Sequence, residues 1–365
     1  MMNNYKEKIF RLASKVSPTI IDFSEERERS SPPTLASSEF ITKRQQGDWA
    51  ENVILKAVNE ISGNVVAVKY GKSDDIIAGE DKFKEHYEAY QQELDTIGKR
   101  PDILLFNKDD YEDKYGLDIS KEELTEEFEK YVSKALAGIE VRSSSFLVDK
   151  YNEEEERIIN HATQRIISLK EDVLGNYLDL LEKKQPALIP ILRQMDPETV
   201  KVIYFKSPVW RSSSRLVELG ERLREIRKNL KVIHGRTTLS ITPKVEDFKV
   251  VYTWIMKYGV PHYYVQVFFD KIYGISYERI LELISDSDLE GSEYFIGTDT
   301  KNQNKKTIKI PITTSTCIGE SLKEPNHHSV RKELSKGRLL FYVAFDGGEA
   351  FLDKKEFDSL FRSNL

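Results

Sequence analysis

Short apolar-rich stretches alternate along the chain with longer charged segments whose apolar residues recur at helical spacing. Val65 to Tyr70, Lys99 to Phe106 and Ala137 to Phe146 each carry a compact strand-like core bounded by polar residues. Phe83 to Ile97 predicts a charged helix stopped by Gly98, and Val245 to Tyr258 predicts another. A helix is predicted from Gly47-Asp48-Trp49, with Asp48 as N-cap and Gly63 at its end. Trp49, Val53, Leu55, Ala57, Val58 and Ile61 are its apolar positions. His262 to Tyr273 reads as one long strand closed by Gly274, and Tyr277 to Ser285 as a short helix. Residues 107 to 135 are acidic and helical in pattern, and Ser30-Ser31-Pro32-Pro33-Thr34 is a break.

Strands alternating with helices predict an α/β fold, a mixed β-sheet core flanked by helices, with a helical insertion. Five segments follow. Residues 1–46 are an N-terminal helix and linker, and 47–149 are the first part of the core. Residues 150–236 are a mostly helical insertion interrupted at Pro186, Pro190 and Pro197; 237–290 are the second part of the core, and 291–365 are a β-rich C-terminal part. If the strand around Glu140 and the Thr237–Lys244 strand form an antiparallel hairpin closed at Phe146 and Thr237, Lys244 falls opposite Ile139 or Glu140.

Composition narrows the chemistry. The 365 residues are 39% hydrophobic and 32% charged, enough for a substantial core. No apolar run is long enough to span a bilayer, so a cytoplasmic protein without membrane contact is expected. The single cysteine, Cys317, excludes an internal disulfide framework and any multi-cysteine zinc site. The six histidines show no metal-ligand spacing, and no phosphate-binding glycine loop, nucleophile elbow or dinucleotide fingerprint is present. The net charge of -6 argues against a protein that coats nucleic acid. It is compatible with an enzyme holding DNA in one basic cleft.

Against that background Asp102 stands at the mouth of one strand, and Glu140 and Arg142 share a face of another. If those strands are neighbours, two carboxylates converge beside a cation, which suits a hard divalent metal and a phosphate. Phosphodiester hydrolysis needs both an activated water and positive charge on the reacting phosphate. Arg142 stays protonated and acts by charge, so Lys244 is the candidate for moving a proton. Taken singly, Pro-Asp and Glu-x-Arg are weak signals, an exposed ion pair being the ordinary explanation of the second. Glu51 has two readings: a solvated first-turn glutamate, or a third acidic group at the metal site.

Basic residues cluster in the insertion. Arg222, Arg224, Arg227, Lys228 and Lys231 are interleaved with Glu218, Glu221 and Glu225, which predicts a salt-bridged helix surface. Arg211-Ser212-Ser213-Ser214-Arg215 is less neutralised and is a candidate DNA-contacting loop; Lys301 and Lys305 flank a second, amide-rich one.

Gly47-Asp48-Trp49-Ala50-Glu51, Arg100-Pro101-Asp102 and Ile139-Glu140-Val141-Arg142-Ser143-Ser144-Ser145-Phe146 resemble the AccI-like type II restriction endonucleases of the PD-(D/E)xK superfamily. The run Val260 to Lys271 adds to the likeness, which spans roughly Gly47 to Ile280. The resemblance implies a restriction-endonuclease-like core and a Mg2+-dependent homodimer cutting a short palindromic site in double-stranded DNA. A cognate DNA methyltransferase is expected beside it. Asp102 and Glu140 match the metal-binding carboxylates, and Glu51 would match the accessory helical one. Arg142 stands where the superfamily usually has lysine, which makes Lys244 a second candidate for the catalytic cation. Two alternatives share the core: a structure-specific repair or recombination nuclease, and a DNA-binding protein that no longer cuts.

Overall fold

The computed structural model describes residues 4–61, 63–72, 76–235, 238–299, 305–334 and 337–361. Lys301, one of the predicted DNA contacts, and Arg236 and Thr237 lie outside these residues.

The helices are α1 (Asn4–Ala13), α2 (Ser38–Ile61), α3 (Phe83–Ile97), α4 (Glu126–Val132), α5 (Val148–Asn176), α6 (Leu178–Lys184), α7 (Leu188–Gln194), α8 (Ser214–Ile233), α9 (Val245–Tyr258), α10 (Tyr277–Ile284) and α11 (Lys354–Phe361). The strands are β1 (Val65–Lys69), β2 (Ile103–Asn107), β3 (Ala137–Ser143), β4 (Ser240–Ile241), β5 (His262–Val267), β6 (Ile272–Ser276), β7 (Phe295–Asp299), β8 (Lys305–Pro311), β9 (Thr316–Gly319), β10 (Ser321–Lys323), β11 (Asn326–Glu333), β12 (Leu339–Asp346) and β13 (Glu349–Phe351). Among the described residues no helix is long and apolar enough to cross a membrane.

The chain divides into two compact units, residues 1–148 with 239–365, and residues 149–238. The first is built on a six-stranded sheet in the order β1-β2-β3-β5-β6-β9. Only β3 and β5 run parallel; the other neighbours are antiparallel. Side chains alternate between the two faces. Ala67, Ile103, Leu105, Ile139, Val141 and Tyr263 pack with Trp49, Val53 and Ala57 of α2. Val68, Leu104, Phe106 and Tyr264 pack with Phe248, Val251 and Trp254 of α9. Glu140 and Arg142, alternating with Ile139 and Val141, therefore face the α9 side.

The second unit is helical. Its core joins Ile166, Leu169 and Val173 of α5 and Leu192 of α7 to Leu219, Leu223, Ile226 and Leu230 of α8. Ser213 caps α8 by accepting a hydrogen bond from the Leu216 N–H.

The structure departs from the sequence reading in four places. The helix expected from Gly47 begins at Ser38, where the Ser37 hydroxyl accepts from the Phe40 N–H. Asp48 is consequently not an N-cap, and Glu51 lies far from the first turn. The stretch read as one strand from His262 to Tyr273 is a hairpin of β5 and β6, turning where the Phe268 N–H donates to the Lys271 carbonyl. Gly274 lies inside β6 rather than closing a strand. Residues 107–135 hold one short α-helix, α4, with the remainder mostly irregular. Finally, the hairpin joining the Glu140 strand to the Lys244 strand does not form. The β3 strand has β2 and β5 as its partners, β4 pairs with β8, and Lys244 bridges Thr307.

Candidate active site

The antiparallel ladder of β2 and β3 pairs Ile103 with Ile139, so one further step sets Asp102 against Glu140. The ladder is closed there by a side chain, with the Val141 N–H donating to Asp102 Oδ2 at 2.7 Å. The Asp102 carbonyl meanwhile accepts from the N–H groups of Tyr70 (2.9 Å) and Gly71 (3.0 Å). A Cβ on Gly71 would lie 2.9 Å from Asp102 Cα and 3.2 Å from its Oδ1, too close for any larger residue without movement. Asp102 is thus fixed from three directions by backbone.

Glu140 is buried in the sheet, 2% exposed. Its Oε1 receives two cations: Lys99 Nζ, and Arg142 Nη2 at 2.9 Å. The same Arg142 nitrogen lies 2.9 Å from Asp247 Oδ2, at the start of α9. Lys99 leaves α3 through Gly98, whose φ is 78° and whose missing side chain lets the backbone press on α9. The Lys99 N–H then donates to the Val250 carbonyl at 3.0 Å. Two lysine and arginine cations and two carboxylates form one partly buried cluster.

Asp102, Glu140, Arg142, Lys99 and Glu51 all line a single cleft of about 390 Å³. Its carboxylates are unevenly neutralised. Burial would raise the Glu140 carboxyl, but Lys99 and Arg142 outweigh it and hold the group below its usual range. Asp102 is pushed up to about 7 by burial and by the Glu140 charge. Glu51 is pushed to about 9 by burial, with Asp102 and Asp48 adding to the effect. At neutral pH Glu51 and part of the Asp102 population therefore hold their protons in the cleft, because among the described residues no cation pairs closely enough with either to offset burial. Glu140 Oε2 is buried without a hydrogen-bond partner. Hard carboxyl oxygens whose protons a divalent cation would displace fit such an ion. Among the described residues no cluster of three acidic, histidine or cysteine side chains forms a ready-made metal cage.

The remaining sequence candidates separate. Lys244 is exposed at the N-terminal end of α9; its charge reaches Asp247, and β3 is not its partner. Arg215 binds Asp179 (3.2 Å) and the Asn176 carbonyl (2.9 Å), while Lys305 pairs with Glu246 at 2.9 Å. Arg211, Ser212 and Ser214 are exposed around the start of α8. Sequence reasoning missed Lys99 and Asp247. The signal for Lys99 was its place three residues before Asp102, on the entry to the same strand. His262, also in this region, is a core residue: burial holds its imidazole down to about 3.

The sequence model describing the AccI restriction endonuclease matches residues 2–363. The chain belongs to that family. It is therefore a type II restriction endonuclease, a site-specific enzyme acting on DNA, and its mixed sheet is of the restriction-endonuclease-like type. No curated protein and no solved structure gives a significant match.

Proposed function

We propose that this cleft hydrolyses DNA phosphodiester bonds at a short palindromic double-stranded site, with Mg2+ held by Asp102 and Glu140 and with Glu51 as an accessory carboxylate. The observation that carries the reading is the convergence of Asp102 and Glu140 on neighbouring strands, with Lys99 and Arg142 on the Glu140 carboxylate. When bound, Mg2+ supplies a Lewis acid and lowers the pKa of a coordinated water. Asp102 presents a carboxylate whose direction is set by the Val141 N–H. Lys99 and Arg142 hold Glu140 ionised, and Lys99, as the compact ammonium, offers charge to a phosphate oxygen or to the attacking water. Arg142 is tied to two carboxylates and acts by position and charge.

A palindromic site cut on both strands matches a two-fold protein, so a homodimer is the expected active form, paired in its host with a DNA methyltransferase. The test is digestion of plasmid DNA by the purified protein with Mg2+. Discrete fragments with uniform ends are expected, and none from Asp102→Asn or Glu140→Gln. Cleavage confined to junctions or flaps would favour the repair nuclease instead, and binding without cutting would favour the inactive module.

A further inference from the structure

The carboxylates that the sequence interleaves with the basic residues of α8 are drawn elsewhere in the fold. Glu218 accepts from the Tyr177 hydroxyl at 2.9 Å, and Glu225 pairs with Arg165 at 2.7 Å. Arg222 turns to Asp172 and stacks over Tyr177. What this leaves is a line of four cations, Arg224, Arg227, Lys228 and Lys231. Their spacing puts all four on one face of the helix. Every one is exposed, whereas Leu223, Ile226 and Leu230 on the opposite face are buried. These four side chains have no ion pair or hydrogen bond among the described residues, and they border a shallow groove of about 420 Å³. Glu221, at the N-terminal end of the groove, is the carboxylate there that no cation neutralises.

Four unpaired cations gathered in a protein of net charge -6 are a local field opposed to the average. The stripe rises roughly 10 Å along the helix at about 1.5 Å per residue. That length matches a few successive phosphates of a duplex strand, at about 3.4 Å of axial rise each. The cations follow one another along a single helix face, an arrangement suited to successive phosphates of a backbone.

We propose that Arg224, Arg227, Lys228 and Lys231 form a sequence-independent phosphate-binding stripe that grips the backbone of double-stranded DNA. The inference rests on the endonuclease reading above. It places the strongest phosphate contacts of this unit on the solvent face of α8 rather than at Arg215, whose guanidinium is already held by Asp179.

The test is fluorescence anisotropy of a labelled duplex of about 30 base pairs, titrated with protein in EDTA over a range of KCl. Each lost phosphate contact lowers the slope of log K against log salt by about 0.9. The fourfold variant Arg224→Gln, Arg227→Gln, Lys228→Gln, Lys231→Gln should lose about 3.6 units of slope and bind on the order of 10³-fold more weakly near 0.1 M salt, whatever the duplex sequence. The double variant Arg224→Lys, Arg227→Lys should keep the parental slope. Single Gln variants, each losing about one unit, cover the case in which the fourfold variant melts early. A steep parental slope left unchanged in the fourfold variant would overturn the stripe while leaving the endonuclease reading intact. A parent protein that binds no duplex at all would remove both.

Discussion

Lys99 forms its ion pair with Glu140 across the junction of two strands, from the turn that ends α3 to the centre of the sheet. A lysine thus reaches the carboxylate that Arg142 flanks, although it lies on another strand entry. By the resemblance read in the sequence, Arg142 would hold the place usually given to lysine, and the fold brings the Lys99 ammonium to the same Glu140 oxygen by a different route.

Lys99→Met should therefore lower single-turnover cleavage by about 10²- to 10⁴-fold, the range for loss of a group acting on charge or protons in the transition state. Duplex affinity in EDTA should change little. Lys244→Met, at an exposed position outside the β3 ladder, should stay within about tenfold of the parent. A large loss in Lys244→Met beside a near-parental rate in Lys99→Met would move the catalytic cation back to Lys244.

The cleft also predicts a pH dependence of stability. Burial and neighbouring carboxylates push Asp102 up to about 7 and Glu51 to about 9 in the folded metal-free protein, both above the ordinary carboxylate range. The folded state then binds more protons than the unfolded chain between about pH 4 and these values. Stability falls as pH rises through that window. Asp102→Asn should raise the melting temperature of the metal-free protein by a few degrees at pH 8 and by much less at pH 4. Mg2+ should raise the melting temperature of the parent at pH 8 and leave the Asn variant nearly unmoved. A melting temperature indifferent to both would place Asp102 outside any metal site.

Much of this arrangement is legible in the sequence, and the omissions have physical causes. The helices α3 and α9 and the β2 and β3 strands carry strong local signals: periodic apolar residues and, for α3 and α9, glycines at their ends. The start of α2 was hidden because Gly47 resembles a boundary, yet the buried side chains Ile41, Gln46 and Trp49 carry the helix through it. The β5–β6 turn has no glycine or proline at Phe269-Asp270, so apolar continuity masked it. The placement of Lys244 depends on β8, a partner some sixty residues on, which local reasoning does not supply. Lys99 reaches Glu140 only because Gly98 lets the chain lie against α9.

Gly71 provides a steric test of how finely Asp102 must be set. Gly71→Ala places a methyl group 2.9 Å from Asp102 Cα, and backbone on both sides must shift. Displacement of a reacting group by about 1 Å costs on the order of 10²-fold in rate, whereas overpacking of this kind costs about 1–3 kcal/mol. Cleavage should drop about 100-fold in a protein that still folds and still binds duplex in EDTA. Parental activity would mean that the loop moves without carrying Asp102 with it.

The last test separates charge from geometry at Arg142. Its guanidinium bridges Glu140 and Asp247, each 2.9 Å from Nη2. Arg142→Ala leaves two carboxylates with Lys99 alone; a fully buried pair broken in this way costs about 3–5 kcal/mol, and the partial exposure of Arg142 and Asp247 brings the expected loss to about 2–3 kcal/mol. Arg142→Lys keeps the charge but replaces a planar fork with a single ammonium. It should lose about 1–2 kcal/mol in urea unfolding, the scale of a hydrogen bond to a charged group. Cleavage by Arg142→Lys should remain measurable, because Lys99 still meets Glu140 and the cationic charge at 142 is kept. Were Arg142→Lys as inactive as Glu140→Gln while folded and binding DNA, the guanidinium itself would be the group acting on the phosphate, and Lys99 would be confined to holding Glu140 in place.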